Sequence, residues 1–128
     1  MRLSNHSELL ALLATLPSKA PIHKSTVPAN PTFPYVLVQH FLPKATDRSL
    51  NRTIHARSER WRVTVAGQTE DSVWVVSAQV AAALEGARIG GQRVEEIPNS
   101  LPILEDLDVT LSNGRHPFYL VTEWQVMH

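Results

Sequence analysis

The sequence predicts an α+β fold in which an antiparallel or mixed β-sheet is packed by two helices, with a long loop or extended hairpin around residues 42–60. Three observations carry that expectation. Two segments repeat apolar residues at helical spacing, at 7–16 and in the run that follows Thr69. Five others read as strands, at 35–41, 61–65, 93–97, 108–111 and 118–126. Stop and turn residues separate them. The resulting order (helix, two strands, helix, three strands) suits long antiparallel pairs that bury one face under two helices. At 128 residues, 43% of them apolar, the chain reads as one domain spanning 1–128.

The first helix rests on Leu9, Leu12, Leu13 and Leu16, which form one stripe. Ser4 or Ser7 is placed to cap it, Glu8 lies near its positive end, and Pro17 stops it. Five prolines between Pro17 and Pro34 predict an extended connection rather than an element. The run Tyr35-Val36-Leu37-Val38-Gln39-His40-Phe41 is apolar nearly throughout, as in a central strand. Trp61, Val63 and Val65 alternate onto one face, and Gly67 closes that strand.

Thr69 followed by Glu70-Asp71 is a capped helix entry. Val73, Val76, Val80, Ala83 and Leu84 supply its buried stripe, Ala78, Ala81 and Ala82 permit close packing, and Gly86 ends it. Gly90-Gly91 predicts a tight turn before 93–97. Asn113-Gly114 predicts a hairpin between 108–111 and 118–126, with a connection longer than the ideal two residues.

The neutral total charge hides a polarity. Residues 1–62 hold nine Lys/Arg against three acids, and residues 63–128 hold three against nine. Separated charge suits a protomer that meets copies of itself, or two unlike partners at opposite faces. The absence of cysteine excludes disulfides and thiolate metal sites. No stretch has the apolar length of a membrane span, and the N-terminus carries no cleavage pattern, so neither a membrane partner nor a targeting segment is expected.

Nothing in the chain demands an enzyme, and no cofactor is expected. His6, His23, His40, His55, His116 and His128 are scattered, with no ligand pair inside one element. Glu105-Asp106-Asp108 lacks the glycine and alternating ligands of a calcium loop. Glu95-Glu96 sends its carboxylates to opposite strand faces. The glycines of 86–91 lack a phosphate-loop Lys-Ser/Thr, and no serine sits in an elbow motif. No catalytic or metal-binding residue is therefore assigned.

The basic stretch 44–60 is the remaining candidate. Lys44, Arg48, Arg52, His55, Arg57 and Arg60 can approach phosphates, but no aromatic within it offers a stacking platform. The stretch is compatible with a solvated loop, with non-specific phosphate proximity and with a subunit-contact arm. Arginine suits the last by pairing bidentately with carboxylates.

Taken in order, a short N-terminal helix, Pro31-Thr32-Phe33-Pro34-Tyr35-Val36-Leu37-Val38, the polar Arg48-Ser49-Leu50, Trp61-Arg62-Val63-Thr64-Val65, Thr69-Glu70-Asp71-Ser72-Val73 with its helix, Ala83-Leu84-Glu85-Gly86 and Phe118-Tyr119-Leu120-Val121-Thr122 cover most of the chain. In that order and spacing the chain resembles the tail terminator, or tail completion, proteins of long-tailed bacteriophages. The resemblance implies a virion protein of the tail-neck region, assembled in the host cytoplasm. Six copies would form a ring on the head-proximal end of the tail tube, ending tube polymerisation and meeting a head-side connector or stopper. DNA would pass through the channel without specific recognition. The family brings no catalytic residue.

Charge separation adds a candidate subunit interface, Arg48, Arg52, Arg57 and Arg60 of one copy against Glu95, Glu96, Glu105, Asp106 or Asp108 of a neighbour. Another head–tail neck component, such as a stopper or minor tail protein, is the alternative within the same class. A small non-specific nucleic-acid-binding module is the alternative outside it.

Overall fold

The computed structural model describes residues 3–29, 31–48, 54–98 and 101–127, with backbone alone for 3–4, 42–48, 54–58 and 127. In chain order its elements are α1 (Leu3–Leu13), β1 (Ile22–Lys24), β2 (Tyr35–Arg48), β3 (Ile54–Gly67), α2 (Glu70–Leu84), β4 (Arg88–Ile89), β5 (Gln92–Arg93), β6 (Glu95–Ile97), β7 (Leu104–Glu105) and β8 (Phe118–Met127). The fold is α+β, as expected: two helices against an open, mixed sheet. Its strand order is β1-β2-β3-β8-β6, with β7 also pairing β8; β4 and β5 form a separate small hairpin.

The first helix begins earlier and ends earlier than its sequence signals suggest. Ser4 and Ser7 lie inside α1 rather than capping it. From Thr15 the chain tightens into three-residue turns, Thr15 N–H to Leu12 O at 3.3 Å and Leu16 N–H to Leu13 O at 3.3 Å. Pro17 disfavours helical geometry at the residue before it, so its influence reaches back into this turn. Leu9, Leu13 and Leu16 are buried.

The proline-rich connection holds a strand that the sequence reading missed. In β1, Ile22, His23 and Lys24 pair parallel to Val36, Leu37 and Val38. Three residues are too few to show alternation, and their partner lies beyond an intervening loop.

Strands β2 and β3 form one long antiparallel hairpin, paired from Tyr35↔Ala66 to Arg48↔Ile54. The polar stretch therefore extends both strands, as the hairpin alternative allowed. The register shifts between Phe41 and Lys44, around Pro43, which has no N–H to give to a ladder. Strand β8 covers β3 from Ser58↔Met127 to Gly67↔Phe118.

In α2 the expected cap is present: the Thr69 hydroxyl accepts from Ser72 N at 3.1 Å, and Glu70 and Asp71 occupy the first turn. Val73, Val76, Val80 and Leu84 face the sheet, and Gly86 takes φ 75°. At Gly67 an added Cβ would lie 2.9 Å from Ser72 Oγ and 3.2 Å from Val73 Cγ2, so a side chain there would press on the start of α2.

Two C-terminal expectations are corrected. The segment 93–97 is not one strand: it divides at buried Val94, which bonds to Ala87 O and accepts from Gly86 N, leaving β5 on β4 and β6 on β8. Residues 108–111 form no strand either. The Asp106 carboxylate accepts from Asp108 N at 3.2 Å and starts a turn, so β7 at Leu104–Glu105 pairs with Tyr119 and Phe118 instead. The Asn113-Gly114 turn itself is present, with Leu111 N–H bonded to Arg115 O at 2.7 Å and Gly114 at φ 81°.

The core lies between one sheet face and the two helices. Val36, Val38, Trp61, Val63, Val65, Trp124 and Val126 pack with Leu9, Leu13, Leu16, Val73, Val76, Val80 and Leu84. Trp61 and Trp124 stand opposite each other across β3 and β8. No helix among the described residues is long and apolar enough to cross a membrane.

Candidate assembly surfaces

The basic stretch is carried by the distal part of the β2–β3 hairpin. Pairing to β1 ends at Val38 and pairing to β8 ends at Ser58. Beyond those points the described parts of β2 and β3 pair with each other alone, as a two-stranded ribbon. Arg48 closes β2, Arg57 lies opposite Ala45, and Arg52 falls outside the described residues. Few cross-strand partners would hold such a ribbon in place, so what aims it is its base.

That base is gripped by a buried polar cluster. Glu59, 1% exposed, accepts from Asn5 Nδ2 at 3.1 Å and lies 2.7 Å from His40 Nε2. His6 accepts from the Trp61 indole N–H at 3.2 Å. The His40 ring stacks on His6 at 4.7 Å and on Trp61 at 5.1 Å. Burial, with the charges of His40 and Lys24, holds the His6 pKa below its ordinary 6.5, partly opposed by Glu59. Gly90 completes the clamp: a Cβ there would meet Asn5 Oδ1 at 2.7 Å, and its N–H donates to Glu8 at 2.8 Å. Residues of α1 and the β4–β5 turn therefore fix the point from which the ribbon leaves.

This cluster was not anticipated from the sequence. One signal was available, since Glu59 continues backward the alternation of Trp61, Val63 and Val65 and must share their buried face. A carboxylate there needs partners, and the histidines of α1 and β2 supply polar ones.

Alternation leaves the other sheet face free of helices. On it Arg60 and Arg62 lie 3.8 and 3.3 Å from the Glu123 carboxylate, and both guanidinium groups stand over the Phe41 ring, at 4.9 and 5.4 Å. Arg60, one of the expected interface cations, thus already has a carboxylate within its own chain. A cleft of about 360 Å³ opens near the start of β8, lined by Val27, Phe33, Tyr35, Asp106, Val109 and Tyr119 among others. Burial, and then the Asp106 charge, raises the Tyr35 hydroxyl above its ordinary pKa of 10.0.

The expected acidic partners gather on the far side of the sheet. Glu95 and Glu96 in β6 and Glu105 in β7 are exposed beyond β8, and Asp106 and Asp108 form the turn that follows. The structure therefore gathers the acids beyond β8 and sets Arg48 and Arg57 on the two strands of the ribbon. Trp74, 66% exposed, flanks the groove between α2 and the sheet that Ala78, Ala81, Glu96 and Trp124 also line. Among the described residues no set of three or more His, Asp or Glu side chains is arranged to hold a metal ion.

A family model described as tail completion protein gp17 matches residues 1–100. The chain belongs to that family. It is therefore a structural protein of a bacteriophage tail and a virion component. No curated protein matches the sequence. One solved structure is 19% identical, covering 98% of this chain and 92% of the other, with a TM-score of 0.53. The virion of a native gene transfer agent particle is 17% identical over 98% of this chain and 93% of the other, with a TM-score of 0.49. The first likeness speaks to the fold alone, and the second adds nothing to it. For a tail completion protein, the surfaces that matter are those that meet other virion subunits.

Proposed function

We propose that this protein caps the head-proximal end of the phage tail tube as a closed ring, ending tube polymerisation and presenting a surface to the head-side connector. The family match over residues 1–100 is the observation that carries the reading. The architecture supports it. A subunit of a ring needs two unlike lateral surfaces that fit each other, and two further faces for the partners above and below. The basic ribbon of β2 and β3, with Lys44, Arg48 and Arg57, and the acidic strands β6 and β7 supply surfaces of opposite charge.

Six copies and a neck position belong to this proposal, as does passage of DNA through the channel without specific recognition. Function here is geometric, and no bond is made or broken. Charge complementarity between copies sets orientation more than affinity.

The test is to add the purified protein to polymerising tail tube protein and follow tube length, with solution mass measured across concentration at low and physiological salt. Tubes that stop growing and carry a ring at one end support the reading. Tubes of unchanged length, with salt-sensitive DNA binding by the monomer, would instead favour the nucleic-acid-binding module.

A further inference from the structure

Among the described residues the sheet ends on two edges that no further strand covers, and these differ in charge. On the near side, among the described residues, β1 pairs with β2 alone. Pro21 O accepts from Val36 N at 2.9 Å and Ser25 N–H donates to Val38 O at 2.9 Å, so these residues face β2. Backbone alternation turns the N–H groups of Ile22 and Lys24 to the open side. Lys24 is exposed on this edge. On the far side, β6 and β7 both pair with β8, and Glu95, Glu96 and Glu105 stand exposed on them.

Strand directions make the two edges compatible. β1 runs parallel to β2, and three successive antiparallel pairings lead from β2 through β3 and β8 to β6. β6 therefore runs opposite to β1. A second copy set beside the first, with its helices on the same side, would bring its β1 antiparallel to β6. Side-chain faces agree as well. Glu96 is opposite buried Trp124 and Lys24 is opposite buried Val38, so both project on the helix-covered side.

We propose that β6 of one copy adds to β1 of the next, continuing the sheet across the subunit boundary with Glu96 opposite Lys24. This rests on the ring reading and names its lateral contact. Short charged edge strands ordinarily guard a sheet against stray pairing. Here opposite signs turn the guard into a selector. Two near edges would set lysine against lysine, and two far edges glutamate against glutamate, each unfavourable for directly opposed residues. Near against far alone is complementary, which gives a head-to-tail contact of the kind that closes into rings.

The chain has no cysteine, so edge contacts can be trapped without background. Directly opposed antiparallel residues have Cα atoms about 4.5–5.5 Å apart, within disulfide reach. Lys24→Cys and Glu96→Cys variants of the full chain, each assembled on tail tubes and mildly oxidised, supply the test. A mixture of the two single variants should give covalent heterodimers, and the double variant a ladder ending at the ring number. Separately, Lys24→Glu or Glu96→Lys should weaken ring assembly roughly tenfold or more, with the combined reversal restoring it. Rings that form normally but yield no cross-link, or yield homodimers of Lys24→Cys alone, overturn the edge contact and leave the ring reading standing. Wild-type protein that forms no ring on tubes overturns both.

Discussion

The two halves of the β2–β3 hairpin are continuous in sequence and share one ladder, yet their surroundings could hardly differ more. Near its base, residues 36–38 and 58–67 are flanked by β1 and β8, and the valines and Trp61 on one face are sealed by α1 and α2. Toward its tip the described strands have only each other. The comparison separates two tasks that a single element performs. The base contributes to the stability of the monomer, while on the proposal above the tip is the part left to meet another subunit. The buried Asn5–His6–His40–Glu59–Trp61 cluster marks the border between them.

The largest effect should come from breaking the base. Trp61 is fully buried, faces Trp124 and donates to His6, so Trp61→Ala removes a large apolar side chain and leaves the His6 nitrogen without its donor. Loss of about 3–5 kcal/mol is expected, read as a lower urea midpoint. Unchanged stability would mean that the core does not depend on the base as described.

Next comes the border itself. Glu59→Ala strips a buried carboxylate from Asn5 and His40, and a loss of about 2–4 kcal/mol is expected. This variant sharpens the comparison, because removing one anchor should loosen the ribbon as well as weaken the fold. Faster amide exchange in residues 54–58 than in 63–67 would report that loosening. Equal protection of the two segments in both proteins would deny any border at Glu59.

Acidity probes the same border more gently. The folded-state pKa of His6 lies below its unfolded value of 6.5. The unfolded chain therefore binds the proton first, and folding stability falls as pH drops through 6.5 toward the folded value, below which this loss is complete. Above 6.5 the contribution is fully present. Denaturation midpoints measured between pH 8 and pH 5 should show this slope, and His6→Gln should flatten it. A slope unaltered in that variant would assign the pH dependence to other groups.

These contrasts also explain which parts of the structure were legible in the sequence. Long periodic segments declared themselves: the stripe of α2, the Thr69 cap and the alternation of Trp61, Val63 and Val65 are all present. Their signals are local, written within one turn or one strand. What was missed depends on distant partners. β1 has only three residues and exists because Val36–Val38 accept it. The strand expected at 108–111 yielded to the Asp106 turn, and β7 formed just before it because β8 had a free edge there. The charge polarity was visible, but the sequence could not show that Glu95, Glu96 and Glu105 share one edge or that Arg60 lies beside Glu123. Nor could the buried role of Glu59 be separated from the basic run around it until α1 was seen to supply Asn5 and His6.

The smallest effect on stability should come from removing the tip. Lys44 and Ser58 are register partners, so replacing residues 45–57 with Asn-Gly joins them through a two-residue turn that suits the twist of the flanking strands. The replacement leaves Glu59, Trp61 and the core in place and shortens the loop, whose closure entropy changes slowly with length. The urea midpoint should therefore move by less than about 1 kcal/mol equivalent, since a two-stranded ribbon adds little stability of its own. Assembly on tail tubes should nevertheless be lost, because Arg48, Arg52 and Arg57 go with the tip. If the shortened protein instead unfolds, the tip supports the fold and the division of labour between the halves fails. If it folds and still caps tubes, the division stands but the basic ribbon is not the contact arm.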